Sequence, residues 1–332
     1  MKVAVLAAGG HTGRMVVEQL RARGADVRPL TRREADAGDR AAVRAAIAGC
    51  DALVNLAGPF LRTGLAPVEA AIDARVAYVD TTGEQAFMAQ VRERLDARAR
   101  AEGVAVVNAM AYEYALGDLA ARAFFPEGGD ALHVLYRSPG ARASAGTKKS
   151  VLRVMGAPTL AFEGGRLARA HAARHRRTFP TRDGPRTGAS FAGGEVLTVP
   201  AHTPFRTVRT YVATRHPGRA RLLAPVARIA LRGALLRAAE RLVDATHHAP
   251  SNDAARGEVH LVAEPSGRHV VVTTPDPYLA TAHVAAEGAL RLARAGEAGV
   301  LAPAQAFDAS DFLESMRKAV PGFDAAPFPS SS

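Results

Sequence analysis

The chain has 332 residues, 48% of them apolar and 23% charged, enough material for a sizeable core and two domains. A single cysteine, Cys50, excludes an internal disulfide, and no stretch approaches the length of an uncharged membrane span. These features predict a globular protein of a reducing, cytoplasmic compartment with no stable membrane insertion. The net charge of +11 is unevenly placed: residues 161–250 hold sixteen arginines, no lysine and five acids, which is the whole excess.

Lys2 to Leu6 (KVAVL) predicts a short buried strand, and it ends in glycines too early to be the core of a signal peptide. Ala7-Ala8-Gly9-Gly10-His11-Thr12-Gly13-Arg14 follows, and then a helical apolar pattern at Met15, Val16, Val17 and Leu20. A strand, a glycine turn and a helix make the phosphate-binding corner of a nucleotide-binding βαβ unit. Main-chain amides approach a pyrophosphate there, and the helix N-terminus is the positive end of its dipole. Gly10 and Gly13 keep the spacing of the second and third fingerprint glycines, while Ala7 stands at the first. Gly9, Gly10, His11, Thr12 and Gly13 are therefore candidate pyrophosphate contacts.

Asp26 to Leu30 predicts the second strand. The adenosine ribose would lie at its carboxyl end, where an acid selects NAD and a cation selects NADP. Thr31, Arg32 and Arg33 stand there, with Glu34 one step later, so NADP is the expected cofactor. Further on, Asp39–Ala48 predicts a helix, Asp51–Leu56 a strand, Leu65–Ala74 a helix and Val76–Val79 a strand. Glu84–Ala101 predicts a helix and Gly103–Asn108 a strand. Such alternation argues a parallel, doubly wound sheet, with ligands beyond the carboxyl ends of its strands. This points to residues 7–13, 31–33, 57–60, 80–84 and 109–118, and makes Gly58, Pro59, Phe60 and Thr82 candidate cofactor contacts.

After about residue 130 the rhythm changes. His133–Ser138 predicts a strand, Gly146–Met155 a helix, residues 160–212 several short strands, and Arg219–Val243 a helix with Pro225 near its start. Glu258–Glu264 and His269–Thr274 predict a hairpin, Asp276–Ala295 a helix, and Phe323–Ser332 a frayed tail. The boundaries expected are a dinucleotide-binding domain over 1–128, a substrate or dimerisation domain over 129–274, and C-terminal helices over 275–332 returning to the first.

Several of these segments together resemble the saccharopine dehydrogenase-like NADP-binding reductases, in particular the branch of trans-acting enoyl reductases. The residues carrying the likeness are the glycine corner, Asn55 to Phe60 (NLAGPF), Ala77 to Glu84 (AYVDTTGE) and Leu116 to Leu119 (LGDL). Gly146-Thr147 with Ser150 and Asp276 to Glu287 (DPYLATAHVAAE) complete them. The resemblance implies a Rossmann domain, a second mixed α/β domain inserted before a returning C-terminal helix, nicotinamide-dependent reduction and often a homodimer. The chain departs from the family pattern at Ala7, at Ala111 to Leu116, and at Lys148 and Lys149, which concerns the substrate rather than the fold.

Hydride transfer needs a positioned nicotinamide and usually a proton donor. None of the six tyrosines has a lysine four residues on, so the short-chain dehydrogenase arrangement is absent. Tyr112, Glu113 and Tyr114, after the fifth strand, are the candidate acid or substrate contacts, with packing as their alternative role. Lys148 is a candidate for binding an acid or orienting a thioester carbonyl; otherwise it is a solvated helix end. Asp80 reads as structural and Asp118 as a helix cap. His171 and His175 have metal-ligand spacing only if helical, with no third ligand, so no metal is expected. The arginine-rich second domain fits an acidic partner, such as a carrier bearing a small-molecule substrate; with no recognition motif or interleaved aromatics, nucleic acid is not expected. The expected activity is NADPH-dependent reduction of an activated C=C or C=N bond. A saccharopine-type imine reductase or amino-acid dehydrogenase and a non-catalytic NADP sensor are the alternatives.

Overall fold

The computed structural model describes residues 1–139, 159–213, 233–246 and 256–329. Lys148, Lys149, Gly146–Met155, Leu222, Pro225, Val226, Ile229 and His247-His248 lie outside them. The chain divides into two compact units, both discontinuous in sequence. The first comprises Met1–Gly83, Phe87–Leu119 and Pro277–Pro321; the second comprises Glu84–Ala86, Ala120–Asp276 and Gly322–Ser332.

The first unit is built on a six-stranded, all-parallel sheet. In chain order its strands are β1 (Lys2–Leu6), β2 (Asp26–Leu30), β3 (Ala52–Asn55), β4 (Ala77–Asp80), β5 (Ala105–Val107) and β14 (Gly299–Leu301). They lie in the order β14-β5-β4-β3-β1-β2. These short apolar runs are buried almost throughout, as a sheet covered by helices on both faces requires. β2 is the exception, half exposed and carrying Pro29, which an edge strand tolerates because its missing N–H breaks no ladder. From β1 the chain steps out to β2, then crosses back to β3 on the other side of β1. The carboxyl ends of β1 and β3 therefore flank the point where the winding reverses.

Helix α1 (His11–Ala22) follows β1, and Pro277–Leu292 packs against it and against β3 and β4. The later helix is rich in alanine and buried on most sides, which lets it approach closely; at Gly288 a Cβ would lie 2.4 Å from Met110 Cε. The core gathers Leu6, Leu30, Val43, Ile47, Leu53, Ile72, Phe87 and Val106.

The second unit is a mixed nine-stranded sheet. One path runs β15 (Asp324–Pro327), β13 (His269–Thr274), β12 (Gly257–Glu264), β6 (Gly129–Arg137), β11 (Phe205–Ala213), β10 (Arg186–Ser190) and β9 (Arg176–Phe179). The hairpin of β7 (Thr159–Glu163) and β8 (Arg166–Ala170) joins it through β11. Among the described residues only β6 and β11 run parallel; the hairpin β12–β13 forms where turn chemistry placed it.

One expectation is corrected here. The tail does not fray at Phe323: Asp324–Pro327 pairs antiparallel with β13, and Phe328 donates its N–H to the His269 carbonyl at 2.7 Å. A strand edge that would otherwise face water is thereby covered. The described part of the predicted Arg219–Val243 helix, Gly233–Thr246, is helical and leaves Leu235 and Leu242 each 63% exposed. Among the described residues no helix is long and apolar enough to cross a membrane.

Candidate cofactor and proton-donor site

The glycine corner forms as an exposed loop between β1 and α1. Ala7 takes φ +64°, the left-handed conformation that a first fingerprint glycine usually supplies. Gly10 is the N-cap, with its N–H donating to the Ala7 carbonyl at 3.1 Å. It offers no side-chain cap, and the first turn of α1 holds no acid, so the opening amides of that turn are left for an anion. Gly13 is required by contact: a Cβ there would lie 2.4 Å from Ala7 O and 2.9 Å from Ala8. Arg14 adds positive charge, its guanidinium donating to Gly9 O at 2.6 Å. The His11 ring packs edge-on against Tyr278 at 5.1 Å, and its Nε2 is buried with no hydrogen-bond partner.

Thr31 lies beside this corner: Ala8 N–H donates to Leu30 O at 3.1 Å, and a Cβ on Gly9 would sit 3.8 Å from Thr31 Cγ2. Arg32 and Arg33 are exposed at the end of β2, and the Arg32 Nε contacts Asp36 at 3.2 Å. Glu34, the nearest acid, is exposed and bonded to Thr31. It accepts from Thr31 N–H at 2.8 Å and from the Thr31 hydroxyl, and these bonds hold its carboxyl below the usual range. The carboxylate that would favour NAD is thus engaged, and two guanidinium groups face solvent where a 2′-phosphate would sit. The corner fits NADP.

Across the reversal point, Gly58 is exposed and Pro59 half-buried, whereas the Phe60 side chain turns into the core against Phe87, ring centroids 5.6 Å apart. Thr82 is fully buried, with its N–H on Asp80 Oδ1 at 3.0 Å. Gly58 and Pro59 therefore present surface to a ligand, and the side chains of Phe60 and Thr82 do not.

Beneath these loops lies a buried polar network that the sequence hinted at only through Asp80. Asn55 donates to the Tyr78 hydroxyl at 2.9 Å, and Tyr78 donates to Asp80 Oδ2 at 3.0 Å. Asp80 also accepts from Asn108 Nδ2 at 2.7 Å and from Ala109 N–H at 2.9 Å. Asn55 in turn accepts from Ala57 N–H at 2.9 Å. The carboxyl ends of β3, β4 and β5 are tied together by side chains with no water needed. Burial raises Asp80 to about 6, with the hydrogen bonds it accepts pulling the other way.

Tyr112, Glu113 and Tyr114 follow β5 on this same edge. Tyr112 and Tyr114 are buried; the Tyr114 hydroxyl donates to Gly83 O at 3.2 Å, and Tyr114 opens the helix Tyr114–Phe124. Glu113 is partly enclosed, and loss of water raises its carboxyl to about 7 despite hydrogen bonds from its own N–H and the Tyr112 side chain. An acid so placed is half-protonated near neutral pH, the condition for donating a proton there. Asp118 lies within the Tyr114–Phe124 helix and caps another, accepting from Ala304 N–H at 2.8 Å. Strands flank residues 171–175, so His171 and His175 do not share a helix face, and no metal-ligating group of three occurs among the described residues.

Residues 19–107 match the family described as the saccharopine dehydrogenase NADP binding domain. That span begins inside α1, past the glycine corner, and ends with β5. The fold is similar to that of apo saccharopine dehydrogenase (L-Glu forming) from Saccharomyces cerevisiae, with a TM-score of 0.62 and 11% identity over 99% of this chain and 100% of the other. An engineered D-amino acid dehydrogenase bound to NADP+ aligns over 91% of this chain and 93% of its own, at a TM-score of 0.49 and 15% identity. No curated protein matches the sequence.

Proposed function

We propose that this chain, which carries a saccharopine dehydrogenase-type NADP binding domain over residues 19–107, is an NADPH-dependent reductase acting on an activated C=C or C=N bond. The observation that carries this reading is one sheet edge. A glycine corner with open amides, two exposed arginines at the ribose end and an acid raised to about 7 all follow parallel strands of the same sheet. Gly9, Gly10 and the first turn of α1 hold the diphosphate, Arg32 with Arg33 the 2′-phosphate, and Gly58 with Pro59 the dinucleotide's flank. Bound NADPH supplies the hydride. Glu113, hydrogen-bonded to Tyr112, delivers the proton to the partner atom.

The enoyl branch is favoured by a basic surface suited to an acidic carrier. Among the described residues, Arg166, Arg169, Arg174, Arg176, Arg182 and Arg186 are exposed and form no ion pair. Four acids of that unit are engaged by other arginines, Glu163 by Arg209, Asp183 and Glu258 by Arg137, and Glu264 by Arg177. A saccharopine-type imine reductase is the second reading, favoured by the matched NADP domain itself.

NADPH oxidation against enoyl thioesters, free and carrier-bound, and against keto acids with amines separates the two. Glu113→Gln is expected to lower kcat about 100-fold with NADPH affinity kept. Arg32→Ala is expected to erase the preference for NADPH over NADH. Failure to bind either reduced nicotinamide overturns the whole reading, and turnover of carrier-bound substrate independent of salt overturns the carrier.

A further inference from the structure

The exit from β5 is tight, and its backbone donors can be followed one at a time. Ala109 N–H donates to Asp80 Oδ1 at 2.9 Å, Met110 N–H to Asp80 O at 2.6 Å, and Ala111 N–H to Ala109 O at 2.7 Å. Ala109 itself takes φ +61°. The fourth donor, Tyr112 N–H, reaches outside this part of the chain and donates to Thr281 Oγ1 at 3.2 Å, across 169 residues of sequence. Glu113 comes next. A buried amide needs an acceptor, so the last step of the backbone before Glu113 depends on a hydroxyl from a remote helix. The same helix, Pro277–Leu292, sets Tyr278 against His11, so its first turns back both the phosphate corner and the acid loop.

We propose that Thr281 is a positioning residue for Glu113: its hydroxyl oxygen, by holding the Tyr112 amide, keeps the Glu113 carboxyl in its water-poor place beside the Tyr112 side chain. The proposal rests on the assignment of Glu113 as proton donor and deepens it. Thr281 acts through the loop, by way of the Tyr112 amide. Thr281→Val removes the acceptor at nearly constant volume, and Thr281→Ser restores it.

The test needs no substrate. Thermal stability is measured from about pH 5 to about pH 8 for the wild type, Thr281→Val and Thr281→Ser, each with and without Glu113→Gln. Subtracting the Gln partner from each leaves the titration of Glu113 alone. In the wild type the difference is expected to be lost as pH rises from the ordinary glutamate range and to level off near 7. In Thr281→Val the pH at which it levels off is expected to fall by about one unit as water reaches the carboxyl, and in Thr281→Ser to return. A uniform loss of stability in Thr281→Val, equal at every pH with that levelling point unmoved, overturns the proposal and leaves Thr281 a packing residue. A wild-type difference that is flat with pH shows that Glu113 is not a raised acid; the proton-donor assignment then fails first and takes this proposal with it. Thr281→Ala carries the same comparison if the valine variant does not fold.

Discussion

Ala7 holds a backbone angle that costs a residue with a Cβ roughly 1–2 kcal/mol, while glycine gives part of that back through its unfolded-state entropy. Ala7→Gly is therefore expected to stabilise the protein by about 0.5–1 kcal/mol in denaturant titrations, with NADPH binding kept. Gly13→Ala is the opposite case, since its methyl would overlap Ala7 O and the chain must shift. That variant should lose about 1–3 kcal/mol and bind NADPH at least about tenfold more weakly. At the same scale, Asp80 is raised to about 6 in the folded state. Its stabilising share is complete below the ordinary aspartate range and is lost as pH rises through about 6. Asp80→Asn should therefore gain on the wild type as pH rises from about 5 to about 8, measured as a difference in melting temperature. Only the difference is informative, because burial lowers His133, His269 and His283 to about 4. Their contribution has the opposite sign, present above the ordinary histidine range and lost as pH falls through about 4.

Elements in this chain are tied to one another by side chains that local pattern does not announce. The cap on the short helix Pro303–Ala306 comes from Asp118, in the middle of another helix. Asp118→Ala should cost about 1–2 kcal/mol, seen as a lowered melting temperature with helix content nearly unchanged by circular dichroism. Gln85 is a second tie. Its amide accepts from Leu160 N–H at 2.7 Å and donates to Leu160 O at 3.2 Å and Gly193 O at 2.8 Å, so β7 and the 193 turn both depend on it. The strands and long helices were legible because buried parallel strands read as unbroken apolar runs and their glycine turns punctuate them. The inward turn of Phe60 was not legible, because a loop phenylalanine beside a glycine and a proline looks the same whether its ring meets a ligand or the core.

At the scale of the whole molecule, the first unit is closed by residues that follow the second in sequence. β14 supplies the sixth strand, and Pro277–Leu292 covers α1, β3 and β4. A fragment ending at residue 128 keeps the glycine corner yet exposes that apolar face. It is expected to be unfolded or aggregated by circular dichroism and gel filtration, and a fusion restoring residues 275–321 should recover a cooperative melt. The basic surface belongs to this scale too. It arises because four acids of the second unit, Glu163, Asp183, Glu258 and Glu264, are engaged by other arginines.

By itself the sequence determined the doubly wound sheet, the glycine corner and the exposed arginines at the end of β2. All three rest on short-range chemistry: an apolar run, a backbone angle, a charge at a strand end. Tertiary structure alone decided which acid is raised and what holds it. Burial, which sets the Glu113 carboxyl, and the Thr281 hydroxyl on the Tyr112 amide both depend on segments brought together from 169 residues apart. Desolvation and hydrogen-bond partners of that kind are properties of a packed interior, and no window of sequence contains them.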